Sequence, residues 1–163
     1  MLRGSFGGSE ARLWLSGDIF LVRSGEARSL NFLVDTGASR TILPEEIARD
    51  LGFDPSATGI ARVDSTGFGG AFKMYSERAV LQFTSADSLY FHAIEVGVMA
   101  GGADSSTIPP ILGLDILNQW RVSFSRLDDL LRCDVLSCTH EVARGPRERV
   151  PRFEEVVRMA WPA

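Results

Sequence analysis

The stretch Asn31-Phe32-Leu33-Val34-Asp35-Thr36-Gly37-Ala38-Ser39-Arg40-Thr41-Ile42-Leu43-Pro44 decides how this chain is read. Asn31 to Val34 is mostly apolar and ends on a β-branched residue, as a buried strand does. It delivers the chain directly into Asp35-Thr36-Gly37. There an Asp can accept from local backbone amides while Gly takes the sharp turn, and Ala38 and Ser39 keep the corner small. Thr41-Ile42-Leu43 continues extended. Pro44-Glu45-Glu46 then opens a short helix, with Pro in its first turn and acids at the positive end of its dipole. Ile47, Ala48 and Leu51 give that helix an apolar face, and Gly52 ends it. Asp-Thr-Gly by itself arises by chance on the order of once in five thousand positions. Its setting, between a hydrophobic strand and an extended segment, is what gives it weight.

Outward from this corner the pattern stays with strands. ARLWL, DIFLVRS and RSLNFLV precede it, with a turn at Ser24-Gly25-Glu26, and residues 1–10, rich in Gly and Ser, read as a flexible arm. After it, residues 59–64 and 71–84 flank a glycine-dense tip over 65–70 and predict a long hairpin. Residues 88–96 predict another strand, and 97–110 a Gly/Pro-rich loop. Ile111-Leu112-Gly113 leads into 114–120, long enough for a two-turn helix. Residues 121–124 and 130–136 form a hairpin around Arg126-Leu127-Asp128-Asp129. Residues 140–151 are polar and Pro-broken, like a linker. Phe153, Val156, Val157, Ala160 and Trp161 then share one face of a short helix, which either docks on its own domain or meets a partner or groove. The division expected is an arm over 1–10, one mostly-β domain over 11–139 and a tail over 140–163.

Composition narrows the function. The 163 residues suit one compact domain, and 45% hydrophobic with 23% charged residues is an ordinary globular balance. A net charge of −4 argues against a nucleic-acid partner. No apolar run approaches the ~20 residues that span a bilayer, and the N-terminus has no secretory pattern, so no membrane association and a cytoplasmic location are expected. Cys133 and Cys138, near His140, match no common zinc or redox spacing and read as ordinary thiols, so neither metal nor cofactor is expected. His92 reads as strand packing.

Taken in order, FLVDTGASRTILP, GFGGAFK and ILGLDILNQW resemble the motifs of the retropepsin-like aspartic proteases, across roughly residues 13–136. That resemblance implies a closed, mostly antiparallel β-barrel, with a short helix after the ILG motif; here the helical tail is additional. It also implies one catalytic aspartate per chain and a twofold homodimer. On it, Asp35 is the catalytic residue, with Thr36 and Gly37 completing its triad and Ala38 and Ser39 supporting the loop. Gly67, Phe68, Gly69, Gly70, Ala71 and Phe72 belong to a flap over an extended peptide substrate. Ile111, Leu112 and Gly113 pack beneath the catalytic loop. Phe68, Phe72 and Ile111 line either substrate pockets or the core.

The chemistry requires a second carboxylate. Two carboxyl groups about 3 Å apart cannot both ionise, so they share one proton and supply both a base and an acid. Asp115 begins the helix after the ILG motif, where an acid serves the helix dipole. Asp64, in Val63-Asp64-Ser65-Thr66-Gly67, only imitates the triplet. The length leaves no room for a second half-domain, so the partner expected is Asp35 of another subunit. Ala38 stands where a hydroxyl residue could have donated to the carboxylate, which places the expected activity optimum away from strong acid. The same fold could instead serve as a non-catalytic dimerisation or peptide-binding module, or act on one dedicated partner. The intact triplet argues for catalysis.

Overall fold

Apolar residues at every second position make strands of most of this chain: Phe32 and Val34 in one, Leu131 and Cys133 in another, are buried while their neighbours are not. The computed structural model describes residues 1–8, 11–57, 59–67, 70–99, 108–146 and 148–162, with backbone alone for 63–67 and 70–72. In chain order the strands are β1 (Leu2–Gly7), β2 (Arg12–Leu21), β3 (Ala27–Val34), β4 (Ile42–Leu43), β5 (Ala61–Gly67), β6 (Gly70–Thr84), β7 (Ser88–Met99), β8 (Ile111–Leu112), β9 (Trp120–Ser125), β10 (Leu130–Val135) and β11 (His140–Ala143). Three helices interrupt them: α1 (Glu45–Asp50), α2 (Leu114–Leu117) and α3 (Phe153–Ala160).

The strands lie in the order β5-β6-β7-β4-β8-β3-β2-β1-β10-β9, with β11 added on β7. Because β2 also pairs with β6, the pairings through β2, β3, β8, β4, β7 and β6 return to their start. The mostly-β expectation holds, but the ring is mixed rather than wholly antiparallel. β3 runs parallel to β8 through Leu33↔Ile111 and Val34↔Leu112, and β4 runs parallel to β7 through Ile42↔Gly97 and Leu43↔Val98. The reason is the Asp35 corner. The chain leaves β3 on one side of β8 and returns as β4 on its other side, antiparallel to it at Ile42↔Ile111. One strand between two such neighbours can be parallel to only one of them.

Four local expectations give way to tertiary contacts. Leu2–Gly7 is no loose arm: it pairs with β10 and then β2, and Leu2 is buried. ARLWL and DIFLVRS fuse into one strand of ten residues, ending at Leu21. β7 runs on through Gly97, Val98 and Met99, taking the first part of the expected loop; residues 100–107 of that loop lie outside the described residues. The helix after Gly113 stops at Leu117, and Trp120 already begins β9.

The tail docks on its own domain. His140–Val142 pairs with Leu89–Phe91, so the first part of the expected linker is a strand. A small core of Phe20, Val80, Leu89, Phe91, Val142 and Val156 receives Phe153, Val157 and Trp161 from α3. The Phe153 ring stacks on Phe20 at 5.2 Å between centroids, and the Arg78 guanidinium lies 5.2 Å above the Trp161 ring. Each large side chain fully buried there contributes about 1.5–3 kcal/mol. The apolar stripe read from the sequence is therefore satisfied within the chain.

A buried titratable side chain packs beside the main core. His92, 1% exposed, accepts a hydrogen bond at Nε2 from the Trp120 indole at 3.2 Å and packs edge-on to Phe83. Burial pushes its pKa down to about 4. Above pH 6.5 the ring is neutral in both folded and unfolded chains and contributes no pH dependence. As pH falls from about 6.5 to about 4, only the unfolded chain takes up the proton, and stability drops by up to about 3 kcal/mol. Below that range both forms are protonated and the loss saturates. Denaturant midpoints across this range should fall for the wild type and stay flatter for His92→Gln, which keeps an acceptor for the indole. Equal slopes would reject the assignment.

Candidate active site

The corner after β3 is held from beneath. The Leu33 amide donates to the Pro110 carbonyl at 2.8 Å and the Asp35 amide to the Leu112 carbonyl at 3.1 Å, which continues the parallel β3–β8 ladder to the end of β3. The Ala38 amide closes the turn on the Asp35 carbonyl at 3.3 Å, and the Leu114 amide donates to the Ala38 carbonyl at 2.8 Å. Leu112 and Leu114 thus tie the segment Ile111-Leu112-Gly113 and the start of α2 to this loop. Leu112 is fully buried and Ile111 partly so.

Above this support the Asp35 carboxylate is partly buried, and the Gly37 amide donates to its Oδ1 at 2.8 Å. A Cβ at Gly37 would stand 3.1 Å from that oxygen, tighter than ordinary contact, which is why the third position of the triplet is glycine. Thr36, Gly37 and Ser39 are exposed and Ala38 is partly buried. The corner therefore presents one partly buried carboxylate and two exposed hydroxyl residues, Thr36 and Ser39, at the surface of the chain.

Asp115 has a different task. Its carboxylate accepts from the Thr41 amide at 2.9 Å, from Thr41 Oγ1 at 2.7 Å and from the Ile116 amide at 3.0 Å. Thr41, fully buried, accepts in turn from the Gly113 amide at 3.2 Å. The pair ties the strand leaving the Asp35 corner to the turn entering α2. Asp115 does act at a helix start, but it also binds a residue 74 positions earlier in the chain, which its local sequence does not disclose. Asp115→Ala would leave both Thr41 donors without their acceptor, and a loss of about 2–3 kcal/mol of stability is expected in denaturant unfolding. Asp115→Asn, which keeps an acceptor oxygen, should recover part of it.

The hairpin is longer and its tip narrower than the glycine-dense string suggests. β5 and β6 pair from Ala61↔Ser76 through Ser65↔Phe72 and Thr66↔Ala71 to Gly67↔Gly70. Phe68 and Gly69 lie outside the described residues, and for Gly67, Gly70, Ala71 and Phe72 only the backbone is described.

Other candidates take no part in this site. Cys133 is buried, and burial, together with the charge of Asp134, pushes its thiol up to about 12. Burial also raises Cys138 above the ordinary thiol value. Among the described residues, no group of three or more His, Cys, Asp or Glu side chains is placed to hold a metal ion, and no helix is long and apolar enough to cross a membrane.

A family model described as "Aspartyl protease" matches residues 22–116, a span that holds the Asp35 corner, the β5–β6 hairpin and Ile111-Leu112-Gly113. Comparison with curated protein sequences gives no match. Among solved structures, a retropepsin-like aspartic protease from Rickettsia conorii is similar, with a TM-score of 0.48 and 22% identity over 78% of this chain and 86% of that one. The family match spans more than half of the chain, and the chain belongs to the aspartyl protease family.

Proposed function

We propose that the chain is an aspartic endopeptidase that works as a homodimer, each subunit contributing its Asp35 carboxylate to one site. The observation that carries this reading is the Asp35 corner itself. It offers one partly exposed carboxylate on a loop held from beneath by backbone bonds to Leu112 and Leu114. The acid that follows the ILG motif, Asp115, is already engaged by Thr41 and Ile116. Acid–base hydrolysis needs a second carboxyl, and a second copy related by a twofold supplies it from the same loop.

In such a pair one carboxyl is ionised and the other protonated. The ionised group takes a proton from a water held between them, and the water oxygen attacks the scissile carbonyl carbon. The protonated group gives its proton to the carbonyl oxygen, leaving a neutral gem-diol. A proton returned to the amide nitrogen then lets the C–N bond break, releasing an acid and an amine and leaving the pair again with one proton. Gly37 holds the first carboxylate in place through its amide, and Thr36, exposed beside it, places a hydroxyl to bridge the two loops. The β5–β6 hairpin serves as a flap that excludes water over an extended peptide.

The test is cleavage of a peptide library, with products identified by mass, across a dilution series of the protein. Hydrolysis is expected, with specific activity falling on dilution as dimers dissociate. Absence of cleavage at every concentration rejects the protease reading; activity per chain that is constant down to the lowest concentration rejects the shared site.

A further inference from the structure

The loop from Asp35 to Thr41 is bonded to each of the residues Leu112, Gly113, Leu114 and Asp115 in turn. At its start the Leu112 carbonyl accepts from the Asp35 amide, and at its middle the Leu114 amide donates to the Ala38 carbonyl. At its far end the loop meets the same segment through side chains. The Gly113 amide donates to Thr41 Oγ1 at 3.2 Å. The Asp115 carboxylate accepts the Thr41 amide, 2.9 Å from each oxygen, and the Thr41 hydroxyl at 2.7 Å. The Gly97 amide of β7 donates to the Thr41 carbonyl at 2.9 Å, so every polar group of Thr41 is engaged.

Thr41 is fully buried and leads into Ile42 and Leu43, a place where valine would fill the same space with no hydroxyl to desolvate. The hydroxyl is therefore there for its two bonds, one given to Asp115 and one received from Gly113. Asp115 is fixed in turn. Its Oδ1 accepts from the Ile116 amide at 3.0 Å, and its carbonyl accepts from Gln119 Nε2 at 2.8 Å. A carboxylate suits this place because both of its oxygens face a donor; an amide would turn an N–H toward the Thr41 amide.

What this clamp controls lies between the two ends of the loop. The Asp35 main chain is anchored at Leu112, but its carboxylate is oriented by the Gly37 amide at 2.8 Å. The path of residues 36–40 sets where that amide points, and the path is fixed only when both ends are. A catalytic group displaced by about 1 Å can lose on the order of 10²-fold in rate. We propose that Thr41 and Asp115 are positioning residues for the reaction. By closing the far end of the loop they hold the Gly37 amide, and through it the Asp35 carboxylate, in the working orientation. Thr41, being fully buried, acts through Asp35 and not on the substrate. This rests on the aspartic-protease reading and adds two residues to it.

The test compares Thr41→Val, Thr41→Ser and Asp115→Asn with the wild type, well below each melting transition and at protein concentrations where specific activity no longer rises. In Thr41→Val kcat should fall by roughly tenfold or more while KM changes less than about twofold, and Thr41→Ser should restore most of the loss. Asp115→Asn should fall between the two. A kcat unchanged in Thr41→Val, or one lowered as far in Thr41→Ser, would overturn the proposal. A second readout needs no catalysis. Because the Gly37 amide donates to Asp35 Oδ1, its proton shift in NMR follows the ionisation of that carboxyl as pH is taken through the carboxylate range. The amplitude of that change should shrink in Thr41→Val and Asp115→Asn and return in Thr41→Ser. A role in stability alone predicts lower melting temperatures with the wild-type kcat and the wild-type Gly37 titration, and that result removes the positioning role. If no peptide is cleaved by any form, the protease reading fails by itself, and the Gly37 titration still decides whether Thr41 and Asp115 set the Asp35 carboxylate.

Discussion

Asp35→Asn is expected to lower peptide hydrolysis by on the order of 10²–10⁴-fold while leaving the fold in place. An amide has the size of the carboxyl it replaces, and its oxygen can still accept from the Gly37 amide, which is the bond that orients Asp35 at 2.8 Å. What it loses is the ability to take up or release a proton, and with it both halves of the acid–base cycle. Stability should therefore change little while activity disappears. Cleavage that persists in this variant would place the chemistry elsewhere.

The same variant also counts carboxylates. When wild-type and Asp35→Asn chains are mixed in equal amounts and allowed to exchange, random pairing leaves about one quarter of the dimers with two aspartates. If the site needs both, the mixture should show about one quarter of the activity of the same total concentration of wild type. If each chain held a complete site, it would show about half. The measurement separates a shared site from an enclosed one without a structure of the dimer, and a value near one half would reject the twofold pair.

The Asp35 corner was legible because its signals are local. Phe32-Leu33-Val34 specifies a strand by its own composition, Asp35-Thr36-Gly37 specifies the turn, and Pro44, Glu45 and Gly52 mark the two ends of α1, with Gly52 at φ +75°. What was misread depends on partners distant in sequence. Glycine in residues 1–8 looks like looseness, yet Gly4 is where β1 crosses close over β2. A Cβ there would stand 2.1 Å from the Trp14 carbonyl oxygen, so glycine marks close approach rather than mobility. The second turn of helix after Leu117 is lost for a similar reason. Trp120 is drawn into the core beside Phe83 and donates a hydrogen bond from its indole N–H to His92, while the Gln119 carbonyl accepts from the amides of Leu136 and Ser137, just beyond β10. Helical spacing in 114–120 could not reveal those competitors. β11 escaped notice because an added edge strand needs only backbone partners, and a polar sequence supplies those as well as an apolar one.

Gly113→Ala is expected to be severely damaging for the addition of a single methyl group. The backbone at Gly113 is extended, at φ −100° and ψ −174°, a conformation open to any residue, so the requirement for glycine is one of space. An added Cβ would meet the Arg40 carbonyl carbon and oxygen at 2.4 Å and its nitrogen at 2.9 Å, all main-chain atoms with no rotamer to escape into. Relief requires the Asp35 loop and α2 to separate, which strains the Leu114-to-Ala38 bond, the Gly113-to-Thr41 bond and the Leu112 support of Asp35 together. A loss on the order of 4 kcal/mol follows, or roughly 10 °C in melting temperature for a domain of this size. Activity measured well below the transition should fall as well, since the corner itself is displaced. Gly97→Ala is the internal control. Its closest new neighbour at 2.8 Å is the Met74 sulfur, near the end of a flexible side chain that can swing aside, so a loss near 1 kcal/mol is expected. Equal losses in the two variants would mean that the contact beneath the loop is softer than its geometry implies. A large loss confined to Gly113→Ala would identify that backbone contact as the element that holds the Asp35 corner in place.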